Sequence, residues 1–190
     1  MSKLYIQKVS FIGFVIIFIF SCNKNEKIDE IEIIPNEVVE IYLLEKLDES
    51  RGFCLDIKGY KSNANIDDGL QAHTCYSYQG MVAVDQGFDL LRINDNEFFM
   101  PSFDVCMEAE SSEKTANLKL GSCTKNELQK FILTDDGRIK LENNKNLCIT
   151  VSQNSSVQGG GGNPVHLIRN IELENCDMNL SSYQTWGIRS

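Results

Sequence analysis

Short apolar stretches recur along most of the chain, and turn-forming residues separate them. Turn signals include Asp67-Asp68-Gly69 and Asp135-Asp136-Gly137, and the segment 153–164 is rich in glycine and polar residues. No long segment sustains the periodicity of an amphipathic helix. Many short strands divided by such turns predict an all-β sandwich or barrel. The predicted strands are Ile41–Leu44, Phe53–Ile57, Phe88–Ile93, Phe98–Met100, Val105–Met107, Lys130–Leu133, Ile139–Leu141, Leu147–Val151 and Val165–Ile168.

The first 22 residues carry the pattern of an export signal. Lys3 and Lys8 lie before or beside an apolar run from Val9 to Phe20. This run is too short to cross a hydrocarbon core of about 30 Å, which takes about 20 residues, so it predicts a signal peptide. The segment Ile19-Phe20-Ser21-Cys22 resembles a bacterial lipobox, in which the cysteine is lipidated and becomes the mature N-terminus. The alternative is an ordinary signal peptide followed by an incidental cysteine.

The lipobox resemblance implies a membrane-anchored lipoprotein of the bacterial cell envelope. The expected location is the outer membrane, with a periplasmic or a surface-exposed orientation. Residues 1–21 would be the signal peptide, Cys22 would carry the lipid at the start of an acidic tether over 22–39, and 40–190 would form the folded domain. The formal net charge is -9, from 18 Lys+Arg and 27 Asp+Glu. Because nucleic-acid binding needs clustered basic side chains, this composition predicts no nucleic-acid partner.

Besides Cys22, the chain has six cysteines, and they fall into three successive pairs. An exported protein enters an oxidising compartment, and no Cys-x-x-Cys motif is present that would favour zinc or redox chemistry. The separations within the pairs are 21, 17 and 28 residues. The spacing predicts three local disulfides, which join Cys54 with Cys75, Cys106 with Cys123 and Cys148 with Cys176.

The cysteine pairs mark a threefold internal repeat. The first cysteine of each pair lies in an apolar pentapeptide, FCLDI, VCMEA or LCITV. A Gln-x-aromatic triplet follows each second cysteine, with the residues Gln86 and Phe88, Gln129 and Phe131, and Gln184 and Trp186. Three copies of one unit therefore account for nearly all of the chain from about residue 41 onwards.

This threefold combination of cysteine pairs and Gln-x-aromatic triplets resembles the ricin-type (R-type) lectin family. The resemblance implies a β-trefoil with three pseudo-repeats, with lobes at about 40–93, 94–133 and 134–190. Each aromatic residue of the triplets is expected to fill the core, and each glutamine amide to satisfy backbone groups in the turns. A β-trefoil also hosts inhibitors and other protein-binding modules, so function has to be argued from the sites.

In R-type lectins each lobe can hold a shallow sugar pocket. The family pattern uses an aspartate two positions after the first cysteine, a polar residue four before the second cysteine and an aromatic residue two before it. Lobe one fits best, because Asp56, Gln71 and His73 take these three positions. His73 offers a smaller stacking face than Trp or Tyr, and Tyr76 and Tyr78 could widen that face. The alternatives are a turn-stabilising role for Asp56 and a surface role for His73. The predicted carbohydrate-binding residues are Asp56, Gln71, His73, Asp85 and Gln86.

Lobe two departs further from the family pattern. Glu108 replaces the aspartate, Lys119 and Gly121 take the other two positions, and Leu128 precedes the glutamine. No stacking face remains, so this lobe is not expected to bind sugar.

Lobe three contains Thr150 in the aspartate position and a long insertion before Cys176. Two registers are open. Either His166 takes the glutamine position, or counting back from Cys176 places Glu172 and Glu174 at the two pocket positions. Gly159 to Gly162 lacks the Lys-Ser/Thr of a phosphate loop and is expected to form a surface insertion.

The sequence predicts a protein without enzymatic activity. No nucleophile motif such as Gly-x-Ser-x-Gly occurs, and His73 and His166 lie in different lobes. No cofactor or metal is expected. The predicted function is glycan binding, mainly through lobe one, with a galactose-type sugar as first expectation from the resemblance. The alternatives are a protein-binding trefoil, acting as an inhibitor or adhesin module, and an accessory subunit of a polysaccharide-utilisation system.

Overall fold

The computed structural model describes residues 37–190, and this part of the chain is built almost entirely from short strands. The described residues contain two short helices, α1 (Leu90–Asn94) and α2 (Ser181–Gln184), with 3₁₀ turns at Lys61–Asn63, Ile66–Asp68, Ser77–Gln79 and Met178–Leu180. Neither helix has the length or the apolar content needed to span a bilayer. The strands are β1 (Val38–Leu43), β2 (Phe53–Ile57), β3 (Leu70–Thr74), β4 (Gly87–Asp89), β5 (Phe99–Met100), β6 (Val105–Ala109), β7 (Leu118–Gly121), β8 (Phe131–Leu133), β9 (Ile139–Leu141), β10 (Asn144–Val151), β11 (Val157–Gln158), β12 (Leu167–Arg169), β13 (Ile171–Asn175) and β14 (Trp186–Arg189).

The strands form three lobes, so the predicted all-β, β-trefoil fold is confirmed. Each lobe contains one antiparallel hairpin that carries a cysteine pair: β2 with β3, β6 with β7, and β10 with β13. β1 pairs with β2, β4 and β14, which joins the start of the described chain to its end. β1 begins at Val38, two residues before the predicted start of the domain. Cys22, the predicted signal peptide and most of the predicted tether lie outside the described residues.

Three disulfides cross-link the hairpins, one in each lobe. They join the pairs that the sequence predicts: Cys54–Cys75, Cys106–Cys123 and Cys148–Cys176. Each closes a loop of moderate length, so each restricts the unfolded chain and stabilises the fold by about 3 kcal/mol in the chain-entropy model.

The glutamine of each Gln-x-aromatic triplet makes the same set of hydrogen bonds in its lobe. Gln86 Nε2 donates to Asp56 Oδ2 at 2.9 Å and to the Thr74 carbonyl at 3.1 Å. Its Oε1 accepts from the Tyr76 backbone N–H at 3.0 Å. Gln129 and Gln184 repeat this pattern at 2.7 to 3.0 Å. The three amides therefore satisfy turn backbone groups at equivalent positions, which is the structural role that the repeat predicts.

The aromatic residues of the triplets pack in the core. Phe88, Phe131 and Trp186 are each 0 to 2% exposed. The Phe98 ring lies between Phe88 and Phe131 in edge contacts, with centroid distances of 6.3 and 6.0 Å. Trp186 Nε1 donates to the Ile149 carbonyl at 3.1 Å, so its polar atom is also satisfied in the interior.

The prediction of a strand over Phe88–Ile93 is wrong in its second half. The residues after β4 form helix α1, because the Asp89 side chain accepts a hydrogen bond from the Arg92 backbone N–H at 3.1 Å and caps the helix. The sequence prediction also missed β3, β7, β11, β13 and β14. Strands such as LQAHT and IELEN alternate polar and apolar residues, so a search for apolar runs does not find them.

Strand pairing settles the register of lobe three. Asp56 lies opposite Gln71 in the first hairpin, and the equivalent Thr150 lies opposite Glu172 in the third. Cys148 likewise lies opposite Glu174. Counting back from Cys176 is therefore the correct register, and the equivalence of His166 with the glutamine position is wrong.

Candidate functional site

The insertion of lobe three, residues 152–170, lies against lobe one. β11 and β12 form a hairpin within this insertion, and β12 adds to the edge of β3. The register places Ile168 opposite His73 and Arg169 opposite Ala72. A segment that belongs to lobe three in the sequence thus extends the sheet of lobe one.

A buried carboxylate anchors the far end of the insertion. Arg51 donates to the carbonyls of Pro164 and Val165 at 3.0 and 2.9 Å and pairs with Glu49 at 2.7 Å. Glu49 is 4% exposed and accepts a further hydrogen bond from the Thr74 hydroxyl at 2.7 Å. The hydrogen bonds from Arg51 lower the pKa of Glu49 to about 2. The anchor is therefore charged and paired at neutral pH.

A second ion pair holds the near end of the insertion. Arg169 Nη2 donates to Asp48 Oδ1 at 2.8 Å, and its Nη1 donates to the Ser152 carbonyl, also at 2.8 Å. The Ser156 hydroxyl donates to Asp48 Oδ2 at 2.8 Å. Although burial raises it, the hydrogen bonds from Arg169 and Ser156 lower the pKa of Asp48 to about 2. Arg169 and the Pro164–Val165 segment of the insertion are thus bonded directly to side chains of the loop that follows β1, and Ser152 is held through Arg169.

Between the insertion and lobe one lies a pocket of about 600 Å³, which we call the lobe-one pocket. Its volume is typical of sites that bind small ligands. Its residues come from the loop after β2, from β3 and the turn after it, and from the insertion. They are Gly59, Tyr60, Lys61, Gln71, His73, Tyr76, Gln79, Gly159, Gly160, Gly161, Gly162, His166 and Ile168.

Three rings on the pocket lining contact one another. The centroid of His73 lies 5.1 Å from that of Tyr76 and 5.2 Å from that of His166, and Tyr76 and His166 are 5.1 Å apart. His166 meets both of the other rings edge-on, with interplanar angles of 81° and 78°. The insertion therefore adds an aromatic ring to the smaller stacking face that lobe one provides by itself.

The glycine run shapes the wall that carries His166. The His166 N–H donates to the Gly161 carbonyl at 3.0 Å, and the Gly159 N–H donates to the His166 carbonyl at 2.7 Å. Gly162 has a φ of +82°, and a Cβ at this position would overlap the His166 ring. Glycine is thus required at residue 162. The run is the surface insertion that the sequence predicts, and it also forms one wall of the pocket.

Two of the predicted sugar-binding residues line the pocket, Gln71 and His73, and Asp56 lies behind them. Asp56 is 1% exposed, and its two oxygens accept from Gln71 Nε2 and Gln86 Nε2, both at 2.9 Å. Burial raises the pKa of Asp56 well above its usual value, and the nearby Asp85 adds to this effect. The carboxylate expected to contact sugar instead orients the Gln71 side chain in the pocket floor.

Asp85 and Gln86 also lie beneath the pocket, and both are fully buried. Asp85 Oδ2 accepts from the Lys61 backbone N–H at 2.5 Å, which holds the pocket loop from below. Its Oδ1 has no hydrogen-bond partner within residues 37–190. Burial raises the pKa of Asp85. Gln86 is occupied by the hydrogen bonds of the threefold core, so its role here is to support the floor.

His73 is a neutral ring in this environment. Burial lowers the pKa of His73 to about 4, so its 3.9 Å approach to Asp56 is not an ion pair at neutral pH. Its Nδ1 lies 2.9 Å from the Thr74 carbonyl. Because a carbonyl only accepts, Nδ1 carries the proton and Nε2 is left as an acceptor. A hydroxyl donor in the pocket could bond to this nitrogen.

The equivalent positions of lobe two hold an ion pair. Glu108 pairs with Lys119 at 2.9 Å and accepts from Gln129 at 2.7 Å. In lobe three, Thr150 accepts from Gln184 at 2.8 Å, and Glu174 pairs with Lys114 at 3.1 Å. These side chains satisfy one another, in contrast with the open floor of the lobe-one pocket.

Two clusters of the described residues have the composition of a metal site, but their sulfur atoms are disulfide-bonded. One cluster combines Glu40 with the Cys54–Cys75 pair, and the other combines Glu97 with the Cys106–Cys123 pair. Since thiolates are the form of cysteine that binds metals, neither cluster offers a usable ligand set.

The sequence does not identify Tyr60, Lys61, Gln79 and Ile168 as pocket residues, and it leaves the position of His166 open between two registers. Tyr60 and Lys61 come from the loop after β2, Gln79 comes from the turn after β3, and His166 and Ile168 come from a segment that belongs to lobe three in the sequence. The only signal in the sequence is the length and glycine content of the insertion. Neither property indicates which lobe the insertion contacts.

Comparison with known proteins agrees with the geometry. The family model of the ricin-type beta-trefoil lectin domain matches residues 44–161. No curated protein sequence matches the chain. Among solved structures, a non-toxic homologue of type II RIPs from Momordica charantia (bitter gourd), in complex with alpha-methyl-D-galactoside, is 17% identical with a TM-score of 0.55. The alignment covers 82% of this chain and 48% of that one, so this chain spans about half of its length.

Two shorter proteins are covered almost completely. The designed threefold-symmetric protein ThreeFoil is 19% identical, with a TM-score of 0.58, and covers 80% of this chain and 98% of its own. The C-half of the earthworm R-type lectin, in complex with GalNAc, is 16% identical, with a TM-score of 0.53, and covers 82% and 99%. These likenesses show the fold, and the family model matches more than half of the sequence. From the threefold core, the hairpin pattern and this match, the chain belongs to the ricin-type beta-trefoil lectin domain family.

Proposed function

We propose that this protein binds glycans without catalysis, through the lobe-one pocket. The observation that carries the proposal is the pocket itself, in which the Gln71 amide and the rings of His73, Tyr76 and His166 line one concave surface. A sugar presents a ring of hydroxyl groups and an apolar C–H face. This lining offers polar groups and aromatic faces together, which is the mixture that such a ligand requires.

The polar contacts follow from the hydrogen bonds already made in the floor. One N–H of Gln71 Nε2 donates to Asp56, and the carbonyl oxygen of the Gln71 amide is an acceptor for a sugar hydroxyl. His73 Nε2 is a second acceptor. Two acceptors fixed on neighbouring positions of β3 can receive hydrogen bonds from two hydroxyls of one sugar. Galactose and N-acetylgalactosamine are the first sugars to test, because structural relatives are described in complex with galactose-type ligands.

Glycan binding should depend on the ring that the insertion supplies. We expect His166→Ala to weaken binding by about tenfold, since it removes one face of the aromatic cluster, and such contacts are worth about 1 kcal/mol or more. Val157→Ala is the matched control, because Val157 lies in the same insertion, is 59% exposed and does not line the pocket. A glycan array followed by calorimetric titration of the best ligand measures both variants.

Two results would contradict the proposal. One is the absence of glycan binding by folded, disulfide-intact protein, which would favour a protein-binding trefoil instead. The other is equal weakening by His166→Ala and Val157→Ala, which would place the binding surface elsewhere on the insertion.

Membrane anchoring through Cys22 is a further part of the proposal, and it is supported by the lipobox-like sequence alone. A single shallow site typically binds with a Kd of about 1 mM, or about -4 kcal/mol. Dense display on a membrane raises the avidity of such sites for multivalent glycans. In a bacterial host, the wild-type chain should incorporate labelled palmitate and fractionate with membranes, whereas Cys22→Ala should do neither. Labelling of Cys22→Ala would contradict this assignment.

A further inference from the structure

The mouth of the lobe-one pocket contains a half-buried lysine that is held in place by its surroundings. The Lys61 ammonium lies 5.6 Å from the centroid of the Tyr60 ring and 6.0 Å from that of Tyr76. Its backbone N–H donates to the buried Asp85, and its φ is +47°, in the left-handed region that non-glycine residues seldom adopt. Backbone and side chain thus both direct this residue to one place on the pocket rim.

Lys61 is also the one full charge among the residues that line the pocket. The lining contains no carboxylate within residues 37–190, although the whole chain has 27 acidic and 18 basic side chains. Within the same range, the Lys61 ammonium forms no ion pair, whereas Arg51, the other cation near the pocket, pairs with Glu49. Burial raises the pKa of Asp85, and the ammonium attracts this carboxyl group through space and partly offsets that rise. No carboxylate of the described residues is in ion-pair contact with the ammonium, and Lys61 lines the space that a ligand would fill.

The nearby acids lie below the floor and do not occupy the pocket. Asp56 and Asp85 are 1% and 0% exposed, and the amides and the backbone N–H groups of the pocket loop lie between them and the ligand space. Arg51, the other nearby cation, is paired with Glu49 and bonded to two carbonyls of the insertion. Lys61 is therefore the group that a charged ligand would meet.

We infer that the glycan bound in the lobe-one pocket carries an anionic group, a carboxylate or a sulfate, and that the Lys61 ammonium binds it. This inference rests on the proposed function, because it names the class of glycan for the same pocket. The sugar ring would lie against the aromatic cluster, while its anionic substituent reaches the rim. A hydrogen bond to a charged group is stronger than a neutral one, so the substituent would select among glycans that share one sugar ring.

The test compares glycans that differ only in charge. An array with matched neutral, sulfated and carboxylate-bearing glycans identifies the sugar, and calorimetric titration then gives a Kd for each member of the matched set. We expect the anionic member to bind about tenfold more tightly than its neutral counterpart. Comparison of the sulfate and carboxylate arms shows which of the two groups is preferred.

Variants of Lys61 assign the preference to its ammonium. Lys61→Met should bring the ratio of anionic to neutral affinity close to one, and Lys61→Arg should retain most of it. Lys145→Met is the matched control, since Lys145 is exposed on β10 and does not line the pocket, and it should leave the ratio unchanged. Thermal unfolding of each variant with disulfides intact shows that the fold is retained.

The outcomes separate the inference from the proposed function. Binding of neutral and anionic glycans with equal affinity, or a preference that survives Lys61→Met, would overturn the inference and leave glycan binding in place. Failure of the wild-type protein to bind any member of the array would overturn both.

Discussion

Replacing Asp56 by alanine is expected to lower the free energy of unfolding by about 1 to 3 kcal/mol, which is the cost of one buried amide that loses its acceptor. The carboxylate accepts from Gln71 and Gln86, both at 2.9 Å, and is 1% exposed. Gln71 Nε2 would lose its acceptor, whereas Gln86 would still donate to the Thr74 carbonyl. Urea denaturation of disulfide-intact protein at pH 7 measures the loss.

The same variant should weaken glycan binding by about tenfold or more, which corresponds to the loss of one well-oriented hydrogen bond. Gln71 lines the pocket, and Asp56 fixes the orientation in which its amide faces a ligand. Thr150→Ala is the matched control, because Thr150 occupies the equivalent position of lobe three and accepts from Gln184. That variant should lose stability without losing glycan affinity.

Asp56→Asn separates the two effects. The Gln86 amide cannot turn, because its Oε1 accepts from the Tyr76 N–H, but the Gln71 amide can rotate to accept from the new amide nitrogen. Burial raises the pKa of Asp56, so removing its charge also removes a desolvation cost. We expect a stability change below about 1 kcal/mol, because the acceptor for Gln86 is kept. Binding should still fall, since Gln71 would present its NH₂ group to the pocket. Equal destabilisation by Asn and Ala would contradict this account of the floor.

The threefold core could be predicted from the sequence because its contacts lie within single repeats. Each glutamine bonds to residues next to the cysteines of its own lobe, so one pattern in the sequence corresponds to one pattern of hydrogen bonds. The disulfides follow the same logic, since each joins neighbouring cysteines along the chain. A resemblance to a family is most informative for contacts of this kind.

The pocket could be predicted only in part, because about half of its lining residues belong to another lobe. Arg51 and Pro164 are 113 residues apart in the sequence, and neither belongs to a family motif. Their hydrogen bond helps to place His166 beside His73, yet no local periodicity indicates that contact. The burial of Asp56 was missed for a related reason: its exposure depends on Gln71 and Gln86 closing over it, which the spacing of the residues does not show.

Acidification is expected to destabilise the protein through His73 by up to about 3 kcal/mol between pH 6.5 and pH 4. Burial of the ring lowers the pKa of His73 from 6.5 to about 4; the hydrogen bond with Thr74 acts in the opposite direction, and the nearby His166 and Arg51 lower the pKa further. As the pH falls below 6.5, the unfolded chain takes up a proton at His73 and the folded chain does not. The stability linked to this ring is therefore fully present above pH 6.5 and is lost as the pH falls to about 4.

Other titratable groups near the pocket also have shifted pKa values, and their contributions have to be separated from that of His73. Burial also lowers the pKa of His166, so that ring contributes with the same sign. Burial raises the pKa of Asp56 and of Asp85, which contribute with the opposite sign. The pKa of Glu49 is about 2, so its contribution is lost mainly below about pH 4.5. The informative quantity is thus the difference between the wild type and a variant that lacks only the His73 ring.

His73→Asn is that variant, because its amide N–H can still donate to the Thr74 carbonyl, and the amide does not titrate. At pH 7 the variant should be less stable than the wild type, since it loses the ring contacts with Tyr76 and His166. Between pH 7 and pH 4, the wild type should lose about 3 kcal/mol more than the variant, which brings the two unfolding curves together. Urea titrations at half-unit steps of pH measure this convergence. Parallel curves would mean that the folded protein accepts a proton on His73 as readily as the unfolded chain, and that the ring is not held neutral in the pocket.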